Sequence, residues 1–95
     1  MEKDISGEPP NEELLTFPTA YPIKVVGRRS DSMRANIDAI VREHVPDLEE
    51  SQISERASNQ KHFLSITYTI NAQSREQIVA LATALQASQD VIMLI

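Results

Sequence analysis

Cysteine is absent from the chain, and with it go disulfides, thiolate metal sites and thiol nucleophiles. That absence fits a reducing compartment. Tryptophan is missing too and aromatics make up only 4% of the residues, so any core must be mainly aliphatic. No stretch approaches the roughly 18 apolar residues of a membrane-crossing helix. The acidic opening segment also lacks the basic and apolar regions of a signal peptide. The expected location is the cytoplasm, with no membrane partner. Positive charge is scarce as well: nine Lys and Arg stand against 14 Asp and Glu, for a net charge of −5. Such a balance opposes sequence-independent attraction to a phosphate backbone, so nucleic acid is not an expected partner.

What is present is enough for one domain. The chain has 95 residues, 41% of them hydrophobic, which is close to the size at which a single core sustains itself. Residues 1–13 carry Glu2, Asp4, Glu8, Pro9, Pro10, Glu12 and Glu13, a composition that buries too little to offset ordering entropy. They are expected to form a disordered tail, with a single domain over residues 14–95. Leu14, Leu15 and Phe17 read as a small apolar clip before Pro18.

The plainest periodicity runs from Lys61 to Asn71. Leu64, Ile66, Tyr68 and Ile70 alternate with Phe63, Ser65, Thr67 and Thr69, the pattern of a strand covered on one face and open on the other. It belongs in the middle of a sheet. Ala20 to Val26 alternates likewise, with Pro22 expected at the strand's start or beside a gap in pairing. Gly27 is expected to end that strand, and Ser30 or Asp31 to cap a helix over Asp31 to His44. Met33, Ile37, Ile40 and Val41 form that helix's apolar stripe, and Pro46 closes it.

The segment from Asp47 to Ser58 is poor in apolar residues and reads as a short polar edge strand, with a mobile loop as the alternative over 49–58. Ser74 and Gln77 fit a capping box for a helix from Arg75 to about Ala87, whose stripe is Ile78, Leu81, Ala82 and Leu85. Asp90 to Ile95 is the last strand, apolar on both faces. The order is strand, helix, strand, strand, helix, strand. Right-handed crossovers then place both helices on one face of the sheet. The fold class is α+β: a ferredoxin-like βαββαβ sandwich with a four-stranded antiparallel sheet in the order 4-1-3-2.

Leu15-Thr-Phe-Pro18, Ile23-Lys-Val-Val-Gly27, Leu64-Ser-Ile-Thr67, Ser74-Arg-Glu-Gln77 and Asp90-Val-Ile-Met-Leu94 together resemble the YbeD-like family of small bacterial proteins, over roughly residues 14–95. The resemblance implies a ferredoxin-like fold similar to the ACT regulatory domains of amino-acid metabolism. Some members carry the label lipoate regulatory protein. Where the family usually has Gly before the third strand, this chain has Lys61, so the turn at Asn59-Gln60 must be built differently.

Little in the residues points to catalysis. His44 and His62 have no metal-ligand spacing around them, and neither a metal nor a cofactor is expected. Glu49, Glu50 and Glu55 read as a solvated run. The acylphosphatase arrangement needs an Arg in the first loop and an Asn on a strand. Arg28 and Asn71 exist, but the surrounding motifs do not. RNA recognition by the same topology needs several aromatics on the outer sheet face, where Phe63 stands alone. The chain is therefore expected not to be an enzyme.

The expected interaction face is the open side of the sheet, with Val26, Phe63, Ile92 and Leu94 among Ser65 and Thr67. A clustered apolar patch of that kind marks an interaction surface, and the uncharged last strand offers an unprotected edge. The expected function is a non-enzymatic regulatory or protein-interaction module, its partner another protein or a second copy in a homodimer. The alternative is an ACT-like sensor of a small amino acid or carboxylate, using a dimer interface and the loop from Gly27 to Asp31. In that loop Gly27, Arg28, Arg29 and Ser30 would hold the anion beside a helix N-terminus.

Overall fold

The computed structural model describes residues 16–95 except Asn59 and Lys61. The expected tail, Leu14 and Leu15 of the clip, and Asn59 and Lys61 at the rebuilt turn lie outside the described residues, while Phe17, the third residue of the clip, packs against the core. The chain forms β1 (Thr19–Arg28), α1 (Met33–His44), a short 3-10 turn (Glu50–Gln52), β2 (Ile53–Ala57), β3 (Phe63–Ala72), α2 (Arg75–Gln86) and β4 (Val91–Leu94). All strand pairings are antiparallel and the sheet order is β2-β3-β1-β4. That is the expected 4-1-3-2 order read from the other edge.

β3 is the spine, paired along its whole length with β1 from Thr19 opposite Ala72 to Arg28 opposite Phe63. Its alternation decides the layers. Leu64, Ile66, Tyr68, Ile70 and Ala72 are buried, and they join Ile23 and Val25 of β1, Met33, Ile37 and Val41 of α1, and Leu81 and Leu85 of α2 in one aliphatic core. Both helices therefore cover the same face of the sheet, and among the described residues no element covers the other face, which is bare in that sense. Pro22 falls opposite Thr69, while β4 pairs only with Val25, Val26 and Gly27. The proline thus lies on β1 beyond the reach of β4, where a missing donor breaks no ladder on that side.

Gly27 does not end β1; the strand continues through it to Arg28. No described glycine has a positive φ. Gly27 is required by close approach instead: a Cβ there would lie 2.3 Å from the Asp90 carbonyl oxygen and 2.7 Å from Met33 Cε. The missing side chain lets the chain entering β4 and the first residue of α1 meet against the strand.

The helix start also differs from expectation. α1 begins at Met33, and the residue before it is Ser32, with φ −106° and ψ −8° and no side-chain cap. A capping hydroxyl needs an extended backbone to reach the first free N–H groups, and Ser32 has a helical one. Neither Ser30 nor Asp31 is the cap. The loop is held elsewhere, by Arg29 N–H donating to the His62 carbonyl at 2.9 Å and Asn36 Nδ2 donating to Asp90 Oδ2 at 3.1 Å.

α2 matches expectation more closely. Ser74 Oγ accepts from Gln77 N–H at 3.1 Å. The Gln77 side chain does two further things: its oxygen accepts from Gln73 N–H at 2.7 Å, and its amide donates to the His44 carbonyl at 2.9 Å. The second contact ties the start of α2 to the end of α1.

The polar segment after α1 resolves into two parts. Leu48 is buried, anchoring the chain. Glu49 N–H then donates to Gln52 Oε1 at 2.8 Å, closing the 3-10 turn, and Gln52 Nε2 donates to the Thr69 carbonyl at 2.9 Å. β2 follows as a true edge strand on β3, from Ile53 opposite Tyr68 to Ala57 opposite Leu64. Ser58 finishes the hairpin: its N–H donates to the Phe63 carbonyl at 3.0 Å and its hydroxyl accepts from the His62 and Phe63 N–H groups.

Candidate interaction face of the sheet

The register assigns the bare face residue by residue. Val26 lies opposite Ser65, Lys24 opposite Thr67 and Arg28 opposite Phe63. On the other side of β3, Arg56 lies opposite Ser65 and Ser54 opposite Thr67. Val26, Phe63, Ser65 and Thr67 therefore occupy one contiguous surface.

β4 changes the expected composition of that surface. Gly27 pairs with Val91 and Val26 with Met93, so one residue of β1 faces both Ile92 and Met93. Such a bulge turns consecutive side chains to the same side. Ile92 and Met93 are 48% and 51% exposed, whereas Val91 and Leu94 pack against the core. Strict alternation places Leu94 on the open face and Met93 beneath it; the bulge exchanges them. The apolar set is Val26, Phe63, Ile92 and Met93, and sequence reasoning missed Met93 because nothing in a uniformly apolar run marks a bulge.

The expected anion loop is divided by the fold. Gly27 is buried inside β1, and the Arg28 guanidinium lies 5.9 Å from the centre of the Phe63 ring on the open face. Arg29 and Ser30 are exposed in the following loop. Arg28 and Asn71, the acylphosphatase pair, stand at opposite ends of the β1-β3 ladder, since Asn71 faces Ala20. At roughly 3.3 Å per residue they are about 26 Å apart along the strand. They share no site.

Two shallow depressions run across the bare face. One, of about 370 Å³, is lined by Val26, Arg56, Ala57, Ser58, Phe63 and Ser65. The other, of about 430 Å³, is lined by Lys24, Ser54, Glu55, Arg56, Ser65 and Thr67. Arg56 and Ser65 border both. Among the described residues neither Lys24 nor Arg56 has an ion-pair partner.

The helical side carries a polar cluster that sequence reasoning also missed. The Arg34 guanidinium donates through Nε to Asp38 Oδ1 at 2.9 Å, through a terminal nitrogen to Glu50 Oε2 at 2.8 Å, and through the other to Glu55. Tyr68, fully buried, donates its hydroxyl to Asp38. Burial first, then the hydrogen bond to Asp38, raises the Tyr68 hydroxyl above its ordinary pKa. Burial opposes the charge on Arg34, yet the Asp38, Glu50 and Glu55 carboxylates outweigh it and hold the guanidinium's pKa above its ordinary value. Glu50 and Glu55 are thus not a freely solvated run. The available signals were the i, i+4 spacing of Arg34 and Asp38 and a Tyr on an apolar strand face, whose hydroxyl must find a partner. The cluster clamps α1 onto β2.

Histidines 44 and 62 stay apart from one another, at a helix end and a strand entrance. His44 Nδ1 lies 3.0 Å from the Ile40 carbonyl. Among the described residues no three His, Cys, Asp or Glu side chains gather as a metal site, and no helix is long and apolar enough to cross a membrane.

An antiparallel sheet of this order, with two helices on one face, defines a small ferredoxin-like module, a fold that ACT domains share. The ACT domain of a GTP pyrophosphokinase from Chlorobium tepidum superimposes with a TM-score of 0.63 at 18% identity, covering 78% of this chain and 91% of that one. Protein HP0495 from H. pylori does so with a TM-score of 0.67 at 9% identity, covering 95% and 98%. At such identities the likeness concerns the fold alone.

The chain belongs to the DUF493 family, described as a protein of unknown function, whose model matches residues 12–95. It is 38% identical over 78 residues to a UPF0250 protein of Janthinobacterium sp. (strain Marseille), covering 82% of this chain and 86% of the relative. A UPF0250 protein of Shewanella loihica is 39% identical over 79 residues, covering 83% and 88%. These bacterial relatives and the ACT-type fold agree with the YbeD-like resemblance of the sequence.

Proposed function

We propose that this chain is a non-enzymatic protein-interaction module of the cytoplasm, engaging another protein through the bare sheet face and the adjoining β4 edge. The observation that carries the reading is the bulge in β4. It brings Ile92 and the adjacent Met93 out together beside Val26 and Phe63, with Met93 in the place that strict alternation gives Leu94. Such patches on small domains mark interaction surfaces, and β4 adds an edge with few charges to discourage pairing.

The test is photo-crosslinking in bacterial cells with benzoylphenylalanine placed at Met93, and separately at Ala39, an exposed residue of α1. The expected result is a protein adduct at Met93, absent at Ala39 and abolished by Phe63→Asp. Equal adducts at both positions, or none at Met93, would overturn the proposal. Sedimentation of the purified chain across a wide concentration range then distinguishes a second copy from a different protein.

A further inference from the structure

Among the described residues the charged side chains of the bare face are of one sign. Lys24, Arg28 and Arg56 point to it, and no Asp or Glu does among the described residues. All the described Asp and Glu side chains lie on the helices, in the loops or, for Glu55, on the helix side of β2, opposite Ile66. Although the chain carries a net charge of −5, the charged side chains on this face among the described residues are basic. The cations of the two layers also differ in state. Arg34 and Arg42 are engaged by carboxylates on the helical side, whereas Lys24 and Arg56 meet no carboxylate among the described residues.

The charge and the apolar surface are arranged side by side. Lys24 and Arg56 stand on either side of β3, offset by two residues because Lys24 is opposite Thr67 and Arg56 opposite Ser65, which puts them about 12 Å apart by strand spacing and rise. Ser54, Ser65, Thr67 and Glu55, whose carboxylate is turned to Arg34, surround the depression between them. Val26, Phe63, Ile92 and Met93 adjoin this cationic half toward β1 and β4. A complementary occupant offers carboxylates to the first half and apolar side chains to the second.

Three kinds of occupant fit poorly. A second copy meeting this face symmetrically would set three cations against three, because a two-fold interface pairs a patch with itself. Single-stranded RNA would need several stacking platforms, and the sole aromatic ring, Phe63, already lies beneath Arg28. A free carboxylate would leave the apolar half uncovered. We infer that the face receives an acidic protein segment bearing apolar side chains, its carboxylates on Lys24 and Arg56 and its apolar groups on Val26, Phe63, Ile92 and Met93. This inference rests on the proposed function and names the chemistry of its partner.

The test is an amide NMR titration of the full chain with two decapeptides, one alternating glutamate and valine, the other lysine and valine. The glutamate peptide is expected to shift the amides of Val26, Ser65, Thr67 and Met93, with affinity falling about tenfold from low to high salt. The lysine peptide is expected to leave them in place. In the double variant Lys24→Glu, Arg56→Glu the preference should reverse, and Met93→Asp should weaken binding of the glutamate peptide. These side chains are exposed, so the dispersed amide spectrum should survive each change and report that the fold is intact.

The inference fails if the two peptides bind the natural chain equally, if neither binds at millimolar concentration, or if the double variant keeps the glutamate preference. It fails equally if an oligouridylate or free glutamate shifts the same amides more strongly than the peptide. Should the Met93 crosslink form and survive the Lys24→Glu, Arg56→Glu change, the interaction module stands and its acidic partner falls.

Discussion

Replacing Gly27 with alanine puts a carbon 2.3 Å from the Asp90 carbonyl oxygen and 2.7 Å from Met33 Cε. Both contacts are far inside van der Waals distance, but they differ in how they can yield. Met33 Cε is the free end of a flexible side chain, fully buried among apolar neighbours. The Asp90 oxygen belongs to the backbone that enters β4, and it can move only by shifting the strand. Overpacking of this sort costs about 1–3 kcal/mol, and the backbone contact argues for the upper part of that range. Against it stands about 0.4–1 kcal/mol gained by restricting the unfolded chain. The net expectation is a loss of about 2 kcal/mol, or roughly 8–16 °C in Tm for a domain of this size.

Urea denaturation followed by far-UV circular dichroism measures it, with an unchanged m-value confirming that the cost lies in the native state. A double-mutant cycle with Met33→Leu separates the two contacts. That variant removes the terminal methyl and should recover only a minor part of the loss, because the Asp90 contact persists. Hydrogen exchange of the β4 amides should accelerate in Gly27→Ala while β3 stays protected, since the shift falls on the edge strand. A Gly27→Ala protein as stable as the natural one would refute the close-approach argument. So would full rescue by Met33→Leu.

Two further predictions use local interactions. Ser74→Ala removes a hydroxyl that accepts from Gln77 N–H and should cost about 1 kcal/mol, whereas Ser32→Ala, with no capping bond to lose, should stay within about 0.5 kcal/mol; equal losses in chemical denaturation would contradict the assignment of caps. Tyr68→Phe leaves Asp38 with Arg34 and deletes a buried donor to a charged acceptor, a loss of about 1.5 kcal/mol. Because the folded state raises the Tyr68 pKa, its stabilising contribution is full below the ordinary tyrosine pKa near 10 and is lost as pH rises from there toward the folded value. Denaturation measured at increasing alkaline pH should therefore show a decline that Tyr68→Phe lessens, and parallel curves for the two proteins would sink the linkage.

The legible parts of this protein are those in which one short stretch contains its own instruction. β3 shows both of its faces through the alternation of Leu64, Ile66, Tyr68 and Ile70 with hydroxyl residues, and that pattern alone implies a sheet covered on one side. Ser74 and Gln77 mark the start of α2 because a capping bond spans only three residues. The helix stripes and the strand order follow from periodicity and crossover handedness, and with them the existence of a bare face. Val26, Phe63, Ser65 and Thr67 were assigned to it correctly because β1 and β3 pair without interruption.

Tertiary contact decided the rest. Leu94 went inward and Met93 outward because a bulge depends on what β4 meets in β1, and five consecutive apolar residues contain no sign of it. Gly27 looked like a strand end, but its role is set by Met33 across the following loop and by Asp90, far along the chain, which need the space of a missing Cβ. Ser30 and Asp31 had the chemistry of a cap, but α1 starts after Ser32, whose helical backbone makes no side-chain cap, and the loop before it is tied instead through Arg29 to the His62 carbonyl. Arg34 gathers carboxylates from α1, the 3-10 turn and β2, so its environment exists only after those elements meet. The same holds for the sign of charge on the bare face: net charge is a sum over the chain, whereas a binding surface is a selection from it that only strand register makes.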